Sequence, residues 1–218
     1  MAATTVDTPI VRRRPWRSRL YAGIGVAILG AAIAVDTTVV QSGSEADQRE
    51  MAFNPAAYGA REFPRIREFV IENAVEAATL SEAIQADRSA ASDKYGVDAG
   101  VGAIIPVNFV GTVDEGRSGV FTVSITNLQE DRTVRVQLGP AVNGTDLRDA
   151  TGTISFGEFT NQIEYQDAAS GINDAMKAEV LDGLARDALP GQRVEVTGVF
   201  KLINPDNWFV TPVALEVQ

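Results

Sequence analysis

Apolar and polar positions along this chain follow three different rhythms. From Leu20 to Val35 there is no charged residue. A helix over that run would rise about 24 Å, and about 31 Å if extended to Val40, close to the hydrocarbon thickness of a bilayer. From Phe63 the rhythm is helical. Phe63, Ile66, Phe69, Val70, Ala74, Ala77, Leu80 and Ile84 recur at three- and four-residue steps, with Arg65, Glu68, Glu72, Glu76 and Glu82 opposite them. This predicts one amphipathic helix over Pro64–Ala91, with Pro64 in its first turn. The segment SDKYGVDAGVG, with three glycines, ends it. The period then drops to two, the mark of strands. Ile105, Val107, Phe109 and Val113 form the first set, Phe121, Val123 and Ile125 the second, Val134, Val136 and Leu138 the third. Val194, Val196, Phe200 and Leu202, then Phe209, Thr211, Val213, Leu215 and Val217, form the last two. A helix is expected near Gln166–Leu184, and a further strand at Gly152–Phe156.

Three strands, a connection holding a helix, and two more strands is the order of an OB-fold, a small Greek-key barrel. The expected class is α+β: an N-terminal membrane helix, one amphipathic helix, then an OB-fold-like five- or six-stranded β-barrel with a helix in the middle connection. A sandwich or an open α+β sheet is the alternative. The divisions are 1–19 as a basic cytoplasmic tail, 20–40 as the membrane segment, 41–62 as a tether, 63–102 as the helical segment and 103–218 as the barrel domain.

Charge sets the expected topology. The chain has 19 Lys+Arg against 29 Asp+Glu. Arg12, Arg13, Arg14, Arg17 and Arg19 all precede the apolar segment, and no basic residue follows until Arg49. The positive-inside rule then places residues 1–19 in the cytoplasm and the remainder outside, a single-pass arrangement in the plasma membrane. Trp16 and Tyr21 sit where interfacial anchors belong. Ala32-Ile33-Ala34 matches a signal-peptidase pattern, so two outcomes stand: a retained signal-anchor, or secretion after cleavage following Ala34. From Asp36 onward 14 basic residues face 28 acidic ones, which repels phosphate backbones, so no nucleic acid is expected as partner.

The chain has no cysteine and no histidine. That removes thiol catalysis, thiolate and imidazole metal sites, the Ser-His-Asp triad and a lipid-bearing cysteine. No catalytic residue, metal ligand or cofactor is expected, and the chain is read as non-enzymatic. The alternatives are a carboxylate-dependent glycoside hydrolase outside the cell and a structural envelope protein.

The densest polar stretch is GPAVNGTDLRDATGTISFGEFTNQIEYQDA, from Gly139 to Ala168. Two readings apply. In one, Asn143, Asp146, Arg148, Asp149, Asn161, Gln162 and Tyr165 form a binding lip for a small polar ligand such as a sugar, joined by Asn207 and Trp208 at the rim near the last turn. In the other, Asn143-Gly144 is a turn, Thr145 or Asp146 caps a short helix, Arg148 pairs with Asp146 or Asp149, and Trp208 covers one end of the core. Asp146-Leu147-Arg148-Asp149 does not fit an EF-hand loop, and no phosphate-binding glycine motif is present.

NGTDLRDATGTISFGEFTNQIEYQDAASGINDAMKAEVL and GVFKLINPDNWFVTPVALEV, with VDTTVV and FNPAAYGAREFPRI nearer the start, resemble an uncharacterised bacterial family of predicted periplasmic lipoproteins. The family is a domain of unknown function whose genes often lie near sugar ABC-transporter components. The resemblance implies an extracytoplasmic accessory role in carbohydrate uptake, with an ABC-transporter subunit, the sugar-binding protein or a small polar ligand as partner. It carries over no catalytic residue. The chain departs from the lipoprotein pattern in having no cysteine, so the N-terminal helix would hold the domain to the membrane.

Overall fold

The first helix begins at a pair of residues suited to starting one. Asn54 caps it by accepting from the Ala57 backbone N–H at 3.0 Å, and Pro55 occupies the first turn, where its missing N–H costs nothing. Helix α1 runs Pro55–Asn73, so the expected tether gives way to helix eight residues early, and Pro64 lies inside the helix rather than at its start. The computed structural model describes residues 53–218, residue 130 excepted. The basic tail, the membrane segment and most of the tether lie outside the described residues. Among the described residues no helix is long and apolar enough to cross a membrane.

The single long helix expected over Pro64–Ala91 is three. After α1, Val75–Glu76 forms a short strand, β1, which pairs in parallel with Val107 and Asn108. Glu76 then caps α2 (Ala77–Ala86), accepting from the Thr79 N–H at 3.0 Å, and Asp87 caps α3 (Arg88–Tyr95), accepting from Ser89 and Ala90. The apolar stripe continues across both breaks because all three helices bury onto one core: Phe63, Ile66, Val70, Leu80, Ile84 and Ala91 are buried together.

β2 (Val97–Asp98) leads into β3 (Ala103–Arg117), the longest strand. β4 (Val120–Ile125), β5 (Thr133–Gln137), β6 (Arg193–Lys201) and β7 (Asn207–Val217) complete the sheet. β3 pairs antiparallel with β4, β4 with β5, β5 in parallel with β7, β7 antiparallel with β6, and β6 back with β3, so the five long strands close a ring. β3 serves two partners because it is long and bulged between Val113 and Gly116. The ring encloses Val107, Val134, Val136, Val196, Phe200, Trp208 and Val210.

The connection from β5 to β6 holds α4 (Asp146–Asp149), a 3-10 turn at Phe156–Glu158 and α5 (Gln162–Met176), which continues as a wider π-helical turn over Lys177–Leu181. No strand forms at Gly152–Phe156. Its end is taken up by the turn, where the Glu158 carboxylate accepts from the Ser155 N–H at 2.7 Å. α5 starts at Gln162 because the Asn161 side chain caps it, accepting from Ile163 and Glu164. α1 and α5 cross at Gly59 and Gly171, where a Cβ on either would collide with backbone: Gly171 in the first case, Pro55 in the second. Glycine at both positions permits this close approach.

Candidate functional site

The site is built on the outward positions of β5 and β7. Val134 and Val136 turn into the core, so Arg135 and Gln137 turn out. On β7 the same logic turns Trp208 and Val210 inward and Phe209 outward. This corrects the expected phase of the last strand, which placed Phe209 on the core face. β7 shifts register against β6 between Thr197 and Gly198, so the inward positions before and after that irregularity fall on different parities.

Arg135 and Phe209 are register partners, and the guanidinium lies 5.3 Å from the ring centroid. Arg135 Nε also donates to Asn207 Oδ1 at 3.2 Å. Buried Gln137 ties the returning loop to the sheet. Its Nε2 donates to Thr211 Oγ1 at 2.8 Å and to the Asn143 carbonyl at 3.1 Å, and its Oε1 accepts from the Asn143 N–H at 3.1 Å. From the helical side, Asn173 Nδ2 donates to the Gly144 carbonyl at 2.9 Å. The loop is therefore held off the sheet at a fixed height. The space between is a groove of about 380 Å³, lined also by Lys201 at the end of β6 and by Ile203 and Asn204 of the β6–β7 turn.

Burial pushes the Asp146 carboxyl up from the ordinary carboxylate range; Lys201 opposes this and Asp149 adds to it. Asn204 Oδ1 accepts from the Asp206 N–H and Asn207 Oδ1 from Arg135, which leaves both amide NH₂ groups as donors with no partner among the described residues. The groove thus offers two cations, one carboxylate, amide donors and an aromatic face.

Of the residues singled out from sequence, Asn143, Asp146 and Asn207 line this groove. The others do not join them there. Arg148 is buried, paired to Asp149 at 2.7 Å, donating to the Tyr165 carbonyl at 3.1 Å and lying 3.5 Å over the Tyr165 ring. Asp149 also accepts from the Thr145 hydroxyl at 2.7 Å. Asn161 is a helix cap and Gln162 is exposed in the first turn of α5. Tyr165 belongs to an aromatic cluster with Phe53, Tyr58, Phe156 and Phe159. Trp208 is fully buried, stacked on Phe200 at 4.6 Å, with its Nε1–H donating to the Pro205 carbonyl and Arg132 lying 5.0 Å over its ring. Its indole fills the end of the core rather than the rim.

Arg135, Gln137, Lys201, Ile203, Asn204 and Phe209 escaped the sequence reading. A signal was available for two of them: Arg135 and Gln137 alternate with Val134 and Val136, the pattern of an outward polar face. Among the described residues no group of three or more acidic side chains is placed to hold a metal ion.

A family model described as predicted periplasmic lipoprotein (DUF2291) matches residues 24–216. No curated protein matches the chain significantly. Among solved structures, an OB-fold protein from Thermotoga maritima is similar, with 19% identity, a TM-score of 0.62, and 76% of this chain and 99% of that one covered. At that identity the likeness establishes the fold alone, and the five-stranded arrangement is that of an OB-fold.

Proposed function

Because the chain belongs to the DUF2291 family of predicted periplasmic lipoproteins, we propose that it works outside the cytoplasm as a membrane-tethered, non-enzymatic accessory protein of carbohydrate uptake, whose OB-type barrel takes a small polar ligand in the groove over β5 and β7. The tether in this reading is the apolar segment 20–40, since the sequence holds no cysteine to carry a lipid.

The observation that carries the proposal is the composition and place of the groove. OB-folds take their ligands on the face of the second and third strands and at the loop between the last two. Here the third strand of the ring supplies Arg135 and Gln137, and the β6–β7 turn supplies Ile203 and Asn204. Fixed amide donors beside a partly exposed aromatic ring suit a polyol, whose hydroxyls need hydrogen bonds and whose C–H face needs an apolar surface. Binding is favoured over hydrolysis because Asp146 is the one carboxylate in the groove lining, while a glycosidase needs two facing one another across the scissile bond. Asp149, the other carboxylate of α4, is engaged by Arg148 and Thr145.

The test is calorimetric titration of the full chain in detergent against a panel of monosaccharides and their acidic derivatives. Saturable binding that Phe209→Asp removes, without a change in melting temperature, supports the reading. Absence of binding across the panel overturns it.

A further inference from the structure

We infer that the ligand of this groove carries an anionic group, a carboxylate or phosphate on a polyol, and that Arg135 and Lys201 read it. The inference rests on the binding role proposed above and names the ligand class.

Over residues 53–218 there are 24 acidic and 13 basic residues, so an average surface patch is negative. Many of the basic side chains are occupied by the fold. Arg148 pairs with Asp149, Lys177 pairs with Asp174, and Arg186 donates to the carbonyls of Leu138 and Leu181. Arg135 and Lys201 share one groove. Among the described residues neither has a carboxylate at ion-pair distance, although both stand in the same groove as Asp146. Arg135 is held only by the neutral Asn207 amide and the Phe209 ring. Lys201 already acts on the Asp146 carboxylate, and an anion bound in the groove meets both cations at once.

The groove also orients such a ligand. Arg135 is fixed at Nε by Asn207, which leaves its terminal nitrogens to meet two oxygens of one carboxylate or phosphate. Lys201 supplies a second, mobile point charge. The amide NH₂ groups of Asn204 and Asn207 are available as hydroxyl partners, and the partly exposed Phe209 ring supplies apolar surface in the lining. Asp146 completes the lining. Its raised pKa, caused first by burial, reduces the negative charge it sets against an anion as pH falls.

The experiment compares matched pairs on the full chain in detergent at low ionic strength: galactose with galacturonate, glucose with gluconate, and glucose with glucose 6-phosphate. The acidic member is expected to bind at least about tenfold more tightly, the worth of one charge-assisted hydrogen bond. Lys201→Met and Arg135→Gln are each expected to remove about that factor for the acidic member, while Lys201→Arg retains it. Melting curves identify any variant that fails to fold, and the other variant then serves alone. Preference for the uronate and aldonate over the phosphate assigns a carboxylate, and the reverse assigns a phosphate. Neutral sugars binding as tightly as their acidic partners, unaffected by either substitution, would overturn this inference and leave the sugar-binding role standing. Failure of both classes to bind would overturn both.

Discussion

Replacing Arg148 with methionine separates a structural role from a binding role, and its magnitude follows from the contacts. The side chain is 6% exposed and its partner Asp149 17% exposed. The substitution removes a charge-assisted hydrogen bond of 2.7 Å, worth about 1.5–3 kcal/mol, and a desolvated cation–π contact at 3.5 Å, worth about 2 kcal/mol. It also leaves the Tyr165 carbonyl without this donor and Asp149 with only the Thr145 hydroxyl. Methionine keeps most of the aliphatic packing, so the loss is electrostatic. Breaking a buried pair from one side costs about 3–5 kcal/mol, the range expected here. For a domain of this size that lowers the melting temperature by about 6–20 °C. The assay is urea unfolding followed by tryptophan fluorescence and circular dichroism, with Asp149→Asn and the double variant closing a thermodynamic cycle. Stability within about 1 kcal/mol of the unsubstituted protein, combined with loss of ligand binding, would contradict the structural role and return Arg148 to the site.

Two further substitutions test the assignments around it. Trp208→Ala is expected to cost about 3–5 kcal/mol, since it empties a fully buried indole position stacked on Phe200 and over which Arg132 lies; a well-folded variant by melting curve would contradict this. Asp146→Asn is expected to raise the melting temperature at neutral pH. The folded-state pKa of Asp146 lies above its unfolded value, so its contribution to stability is present at low pH and is lost as pH rises through the folded value. The difference between the two proteins should therefore shrink toward zero below about pH 4, and a less stable Asn variant at neutral pH would show that the carboxylate is favoured in place.

The strand order was legible because alternating valines report one buried face, and that face is local to each strand. The helix over Pro64–Ala91 was not legible as three because its breaks depend on partners distant in sequence. Val75 leaves the helical path to pair with Val107, a residue more than thirty positions away. A local mark of the second break did exist in Asp87, a capping residue before Ser89, and one of the early helix start in Asn54-Pro55, which opens α1. In the Gly152–Phe156 segment, expected as a further strand, Ile154 is buried but Phe156 is exposed, and Glu158 bends the chain into a turn. At the site, Asn143, Asp146 and Asn207 were found because polar residues concentrate beside turn glycines and prolines. Arg148 and Tyr165 were drawn into the same group by composition, although their side chains pair with each other on the helical side. Lys201 and Phe209 were missed because each follows or precedes buried apolar residues, and only the register of β7 against β5 and β6 reveals that they face the groove.

The outer face of β5 and β7, roofed by the Asn143 loop, is the proposed ligand site. Amide chemical-shift mapping on the isotope-labelled full chain in detergent, titrated with galacturonate, tests it most directly. Saturable shifts confined to Arg135, Gln137, Asn143–Asp146, Lys201–Asn204 and Asn207–Phe209 are expected. Shifts centred instead on the cleft beside Glu76, Asn108 and Arg193, or no saturable shifts with any sugar of the panel, would contradict it.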